Sequence, residues 1–229
     1  MPVAWTQRWL RETFETWGIP GCLRVDNGVP WGNPGDMPSA LALWLIGLGI
    51  EMHWNHPRRP HENGKIERFN GLIDQWGEPT QCANWRAWQA KLRWLIQVQR
   101  ERYPSVDGLS RAMAFPELFI SHRPYNREHE EACWNFQRVK DFLAQHTWPR
   151  KIDAYGLISI YHLGYRVGKS FALQFVSLHF DPARVEWFVV DDSGHTLKRW
   201  AAVEITPEHI KTLTIRHVRS VKYNSEEAA

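Results

Sequence analysis

The stretch from Asn55 to Trp76, NHPRRPHENGKIERFNGLIDQW, constrains this chain more than any other. It reads as a basic, proline-bearing loop that breaks at Asn63-Gly64 and feeds a helix. At about 100° per residue, Ile66, Phe69, Leu72, Ile73 and Trp76 share one side, whereas Asn63, Glu67, Asn70 and Asp74 fall together beside it. The helix is therefore expected to bury its apolar side and hold one carboxylate, Glu67, at the rim. Upstream, LRVDNG (Leu23 to Gly28) reads as a short apolar strand ending in Asp26, where a turn begins. Taken alone, Asp-Asn-Gly is turn chemistry and a single helix acid is solvated. Taken together, a strand-end aspartate and a rim glutamate are hard oxygen donors of the kind a divalent cation takes.

The elements before and between these two acids can be read from periodicity. Trp9, Leu10, Phe14 and Trp17 recur at helical spacing, and Gly18-Ile19-Pro20 stops that helix before the Asp26 strand. Pro38 to Leu48 is apolar nearly all round and reads as a buried helix. Gly49 to His56 alternates Ile50, Met52 and Trp54 against Glu51, His53 and Asn55, the pattern of a half-buried strand. The resulting order is helix, strand, helix, strand, basic loop, helix.

With that order in place, VDNG followed by HPRRPHENGKIERFNG resembles the second half of the catalytic core shared by retroviral-type integrases and bacterial insertion-sequence transposases. That is the Asp-Asp-Glu family, built on an RNase H-like fold. In it an early-strand aspartate, an aspartate before Asn-Gly and a glutamate in a P-x-x-x-G-x-x-E-R helix hold two divalent ions. The resemblance sets Asp26 on the second acid and Glu67 on the third, with Pro60, Gly64 and Arg68 in register. It implies catalytic and metal-holding roles for Asp26 and Glu67, with Mg2+ as the cofactor. It also implies DNA contact, with mobile-element ends and target, by Arg58, Arg59, His61, Asn63, Lys65, Arg68 and Asn70. For the two asparagines, orientation of the carboxylate is the other reading, and helix capping explains Asn63 equally well.

The first acid of the family has no counterpart here. Only Glu12 and Glu15 precede Asp26, both in a helix-like stretch, so the strand bearing that acid is expected upstream of Met1. Two magnesium ions about 3.5–4 Å apart need carboxylates pinning both. With the bridging aspartate missing, this polypeptide is expected to cut or join DNA weakly or not at all by itself. The early strands would be missing too, leaving an open sheet edge for another protomer or a full-length transposase to cover.

Farther on, Asn84 to Arg102 reads as an amphipathic helix with Trp85, Trp88, Leu92, Leu95, Ile96 and Gln99 inward. Arg86, Lys91, Arg93, Arg100 and Arg102 would form its outer surface, either simply solvated or facing DNA or a second protomer. SRAMAFPELFISHRPY (Ser110 to Tyr125) resembles the connector that follows the core in these transposases, and a helical connector continues from Glu130 to Gln145. From Ala154, short alternating strands follow: 154–160, 165–167, 172–178, 185–190 and 196–200. Gly164, Gly168, Asp181-Pro182 and Asp192-Ser193-Gly194 supply turns, and the series suggests a small antiparallel barrel. Its G-x-I-S-I-x-x-x-x-Y-x-V-G-K run resembles the SH3-like carboxyl-terminal barrel of the same enzymes, which binds element-end DNA or packs against the core.

The expected architecture is thus α/β. A partial RNase H-like domain spans 1–103, a helical connector 104–150 and an SH3-like antiparallel β-barrel 151–205, and a tail, 206–229, frays after Val221. A net charge of +3 does not by itself imply nucleic acid; the crowding of cations around Glu67 is the stronger signal. Cys22, Cys82 and Cys133 are odd in number and lack a C-x-x-C pair, so they read as buried thiols in a reducing cytoplasm, and the family resemblance implies a bacterial protein near the nucleoid. The longest apolar run, Ala40 to Ile50, is too short to span a bilayer. Fourteen tryptophans are expected chiefly in the core. Besides strand transfer, two other functions fit: a DNA-binding, assembly-regulating product without catalysis, and a barrel that reads a protein partner.

Overall fold

The computed structural model describes residues 3–32, 36–56 and 58–215. The described chain is α/β, with a short parallel strand pair, an antiparallel sheet and helices. Its two compact units are not consecutive along the sequence. One takes residues up to Glu12, Pro20–Trp54 and everything from Tyr125; the other takes Thr13–Ile19 and Asn55–Pro124. The expected connector therefore divides at residue 125, and the strand-rich portion belongs with the first strand pair.

In the first unit, β1 (Cys22–Val25) runs parallel to β2 (Glu51–Trp54), with Cys22 opposite Glu51 and Val25 opposite Trp54. A parallel pair needs a crossover. Between the strands lies α2 (Ala40–Gly47), whose residues from Leu41 to Gly47 are all buried. Ser39 starts it by accepting the Ala42 N–H at 3.1 Å. Helix α1 (Val3–Trp17) precedes β1, and its residues up to Glu12 count with this unit.

After Tyr125 come α6 (Glu130–Cys133), α7 (Phe136–Ala144) and six strands. These are β3 (Trp148–Lys151), β4 (Leu157–Ile160), β5 (Leu163–Arg166), β6 (Phe175–Asp181), β7 (Glu186–Val190) and β8 (Thr196–Ala201). A short helix, α8 (Pro207–Lys211), follows. All five expected strands form, with shifted ends, and β3 joins them. The barrel expectation needs correcting: among the described residues the strands make an open sheet, β3-β6-β7-β8, and a separate β4-β5 hairpin. Helix α2 packs against α7 and α8, and α7 packs on β6. Trp44, Leu143, Leu178, Trp187 and Val189 are fully buried here. Residues from 216 on, including the expected fraying, lie outside the described part.

The second unit is helical: α3 (Gly64–Gly77), α4 (Trp85–Glu101) and α5 (Arg111–Ala114), with several 3-10 turns. Gly77 is the one buried residue of α3, and its α-carbon faces Leu92 and Trp88 of α4. The apolar side of α3 is less covered than its periodicity implies. Ile66 is 62% exposed, while Phe69, Leu72, Ile73 and Trp76 are half-buried. Helix α4 buries Leu95 and Gln99 as expected, yet Trp85 and Ile96 of the same stripe are exposed.

Two further expectations fail. Cys22 is exposed and Cys82 and Cys133 are half-exposed, although all three are free thiols. Tryptophan is not confined to the core either, since Trp5, Trp9, Trp17 and Trp94 are exposed alongside the buried Trp44, Trp134, Trp148 and Trp187. Among the described residues no helix is long and apolar enough to cross a membrane.

Candidate nucleic-acid interface

The loop before α3 is shaped by an acid, Glu62. Its Oε2 accepts the His56 backbone N–H at 2.9 Å, and its Oε1 lies 2.8 Å from His56 Nδ1 and 4.0 Å from Arg59 Nη1. Asn55 Nδ2 donates to Asn63 Oδ1 at 2.5 Å, closing the base of the same loop. A 3-10 turn over Pro60–Asn63 then runs directly into α3. Proline near the start of that turn costs no hydrogen bond there. Arg58 takes a positive φ of 61°, an uncommon conformation for a side-chain-bearing residue.

Glu67 sits in the first turn of α3, where the amino-terminal end of a helix favours negative charge. Lys65, Glu67, Arg68 and Asn70 are all exposed, as are Arg58, Arg59 and His61. Four cations, Arg58, Arg59, Lys65 and Arg68, stand against two acids, Glu62 and Glu67, so the segment 56–70 is net positive. The cations are not equivalent. Arg59 is drawn toward Glu62, whereas Arg58, Lys65 and Arg68 take no ion-pair partner among the described residues.

The structure thus brings Arg58, Arg59, His61, Asn63, Lys65, Glu67, Arg68 and Asn70 into one loop and helix start within the second unit. Asn63 occupies the N-cap position of α3, but its side chain makes no capping bond and is turned to Asn55. Asn55 and Glu62 escaped the sequence reading. The signal for Glu62 was an acid just after Pro60, at the head of a helical turn.

Asp26 lies in the first unit, immediately after β1 and exposed to solvent. Its Oδ1 accepts the Gly28 N–H at 3.1 Å, the Asx-turn geometry that Asp-Asn-Gly favours. Strand alternation buries Val25 and presents the neighbouring carboxylate outward, at the carboxyl end of a strand in a parallel pair.

A magnesium centre of the implied kind was tested against the donor set. Among the described residues, no three His, Cys, Asp or Glu side chains gather as a cation-holding group. His53 and His56 each face one glutamate, His53 with Glu51 at 3.2 Å and His56 with Glu62 at 2.8 Å. Asp26 has already committed one oxygen to its own turn. The described residues do not fit a two-ion site. What remains chemically is an exposed, net positive loop and helix start whose Arg58, Lys65 and Arg68 take no ion-pair partner among the described residues, a surface whose charge matches phosphate. No protein-family model matches the chain.

Proposed function

We propose that this chain is a DNA-binding protein of the transposase and integrase kind, engaging duplex DNA through the segment 56–70, and that by itself it does not transfer strands. The observation that carries the reading is the set of exposed cations Arg58, Lys65 and Arg68 around Glu67 at the start of α3, which take no ion-pair partner among the described residues. This placement favours phosphate contact, because a cation already paired with a neighbouring acid neutralises less phosphate charge and so displaces fewer of the counterions condensed on DNA.

Three further features support the family reading. The β1–α2–β2 crossover is parallel, as an RNase H-like core requires of these elements. Asp26 follows the first of these strands and Glu67 opens the helix after the second. An antiparallel sheet with a separate hairpin follows, the strand content of an SH3-like module. Among the described residues no three metal-ligating side chains gather around either acid, so binding is the activity that the residues present support.

Duplex binding by the full chain should weaken steeply as salt rises, and no strand-transfer product should appear with Mg2+ or Mn2+. Affinity that ignores salt would overturn the DNA reading and favour a protein partner. Strand transfer abolished in Asp26→Asn and Glu67→Gln would instead establish a working catalytic centre.

A further inference from the structure

Strand β3 keeps its alternation of burial but departs from an apolar inward face. Trp148 is buried, and Arg150, two residues on, shares its face. That face carries a cation whose side chain is only 14% exposed. Its single carboxylate partner among the described residues is Asp36, at 3.2 Å from Nη2 on a largely solvated side chain. Nη1 donates to the Pro149 carbonyl at 2.9 Å, and the other guanidinium N–H groups take no partner among the described residues. Burial holds the Arg150 pKa below its ordinary value, the mark of an under-compensated cation.

A second departure lies in the turn between β4 and β5. Tyr161 and His162 both take positive φ, 49° and 68°, in a two-residue hairpin where Asn-Gly is the usual choice. Such conformations persist where the surroundings hold them, and they gather at ligand clamps. Here the Tyr161 hydroxyl donates to the Pro38 carbonyl at 2.8 Å, tying the turn to the chain just before α2.

Both departures line one cleft of about 330 Å³ in the first unit, a volume that suits a small organic ligand. Its lining joins Arg150, with the solvated Asp36 carboxylate beside it at 3.2 Å, and Tyr161 and His162 to the apolar side chains of Met37 and Leu41, and Ser159 lies on the same wall. We infer that this cleft binds a small amphipathic anion, a compact apolar body bearing one phosphate or carboxylate group whose charge Arg150 receives. A guanidinium offers paired N–H groups that match either head group. Partial burial strengthens that attraction relative to open water. The apolar lining favours an organic body over a bare inorganic ion. None of these residues belongs to the basic loop, so the inference is independent of the DNA reading.

The test is calorimetric titration of the full chain with 1-naphthyl phosphate and 1-naphthoate, with neutral 1-naphthol and inorganic phosphate as controls. Saturable one-to-one binding of at least one naphthyl anion is expected, about tenfold tighter than either control, a single charge-assisted contact being worth that much. The relative strength of the two anions identifies the head group. Arg150→Met and Ser159→Glu should each weaken binding about tenfold or more, the first by deleting the cation and the second by placing a like charge in the cleft. Ser159 is exposed on β4, so Ser159→Glu should fold, and it decides alone should Arg150→Met prove unfolded by circular dichroism. Absence of saturable binding to both anions, or undiminished binding in a folded variant, overturns the inference.

Discussion

Arg11 closes on Glu130 with two guanidinium nitrogens, Nε to Oε2 and Nη2 to Oε1, each at 2.7 Å and across 119 residues of sequence. Trp44 Nε1 donates to the same carboxylate at 3.1 Å, and the Tyr125 hydroxyl donates as well. One acid thereby fastens α1, α2 and the chain entering α6 within the first unit. Burial alone would raise its pKa, but the bonds from Arg11, Tyr125 and Trp44 outweigh it and hold the carboxyl below its ordinary value.

Because the folded-state pKa is depressed, Glu130 stabilises the protein above its unfolded value, about 4.3, and that contribution is lost as pH falls through the folded pKa. Glu130→Ala strands the Arg11 cation and is expected to cost about 3–5 kcal/mol at neutral pH. Denaturant melts of wild type and variant should converge toward acid pH; a constant gap across that range would refute the linkage.

Glu204 runs the other way. It is fully buried, accepting from Tyr165 at 2.6 Å and from Trp187 Nε1 at 2.7 Å. Burial raises its pKa, and the bonds from Tyr165 and Trp187 only partly offset this. A carboxyl raised on folding costs nothing at low pH and destabilises increasingly as pH climbs past the unfolded value. Glu204→Gln removes the charge while the Tyr165 hydroxyl can reverse to accept from the new amide. The variant should therefore gain on wild type as pH rises above the unfolded carboxyl value, about 4.3, read as the difference in Tm.

Glycine matters at Gly47 because of close approach. A β-carbon there would lie 2.1 Å from Trp134 Nε1, and that nitrogen donates to the Trp44 carbonyl at 3.1 Å. Gly47→Ala must displace the indole and break its bond, at an expected cost of about 1–3 kcal/mol. At Gly71, on α3, a β-carbon meets nothing within 4 Å. Gly71→Ala should stabilise by about 0.5–1 kcal/mol, by restricting the unfolded chain and favouring helix. Opposite shifts in urea midpoint are the expected readout.

The contrast between these sites marks how far sequence alone reaches. Periodicity located α1 to α4 and most strands, because apolar spacing follows helix and pleat geometry. It did not report coverage: Trp85 and Ile96 occupy the apolar stripe of α4 and stand exposed, since an amphipathic pattern says which side seeks burial and not what arrives to cover it. Strand β3 escaped because WPRK offers a proline and two cations in four residues. Arg11 looked like one charge among tryptophans, and nothing local ties it to Glu130. In the candidate interface the cations were legible as a cluster, whereas the Glu62 contacts that separate Arg59 from Lys65 and Arg68 depend on loop geometry.

That separation yields the sharpest expectation for the interface. A cation without a partner trades water and counterion for phosphate, while Arg59 must also leave Glu62. Lys65→Gln and Arg68→Gln should each lower the slope of log K against log salt by about 0.9 on duplex DNA. Arg59→Gln should lower it less, because part of that charge is already met within the loop. Glu62→Gln should do the reverse: it releases Arg59 and removes a negative charge, so duplex affinity rises and the slope steepens. Its cost is a loosened loop, since the neutral amide holds His56 more weakly. Equal slopes for Arg59→Gln and Lys65→Gln, measured by fluorescence anisotropy across a salt series, would show that the Glu62 contact does not set which cation meets phosphate.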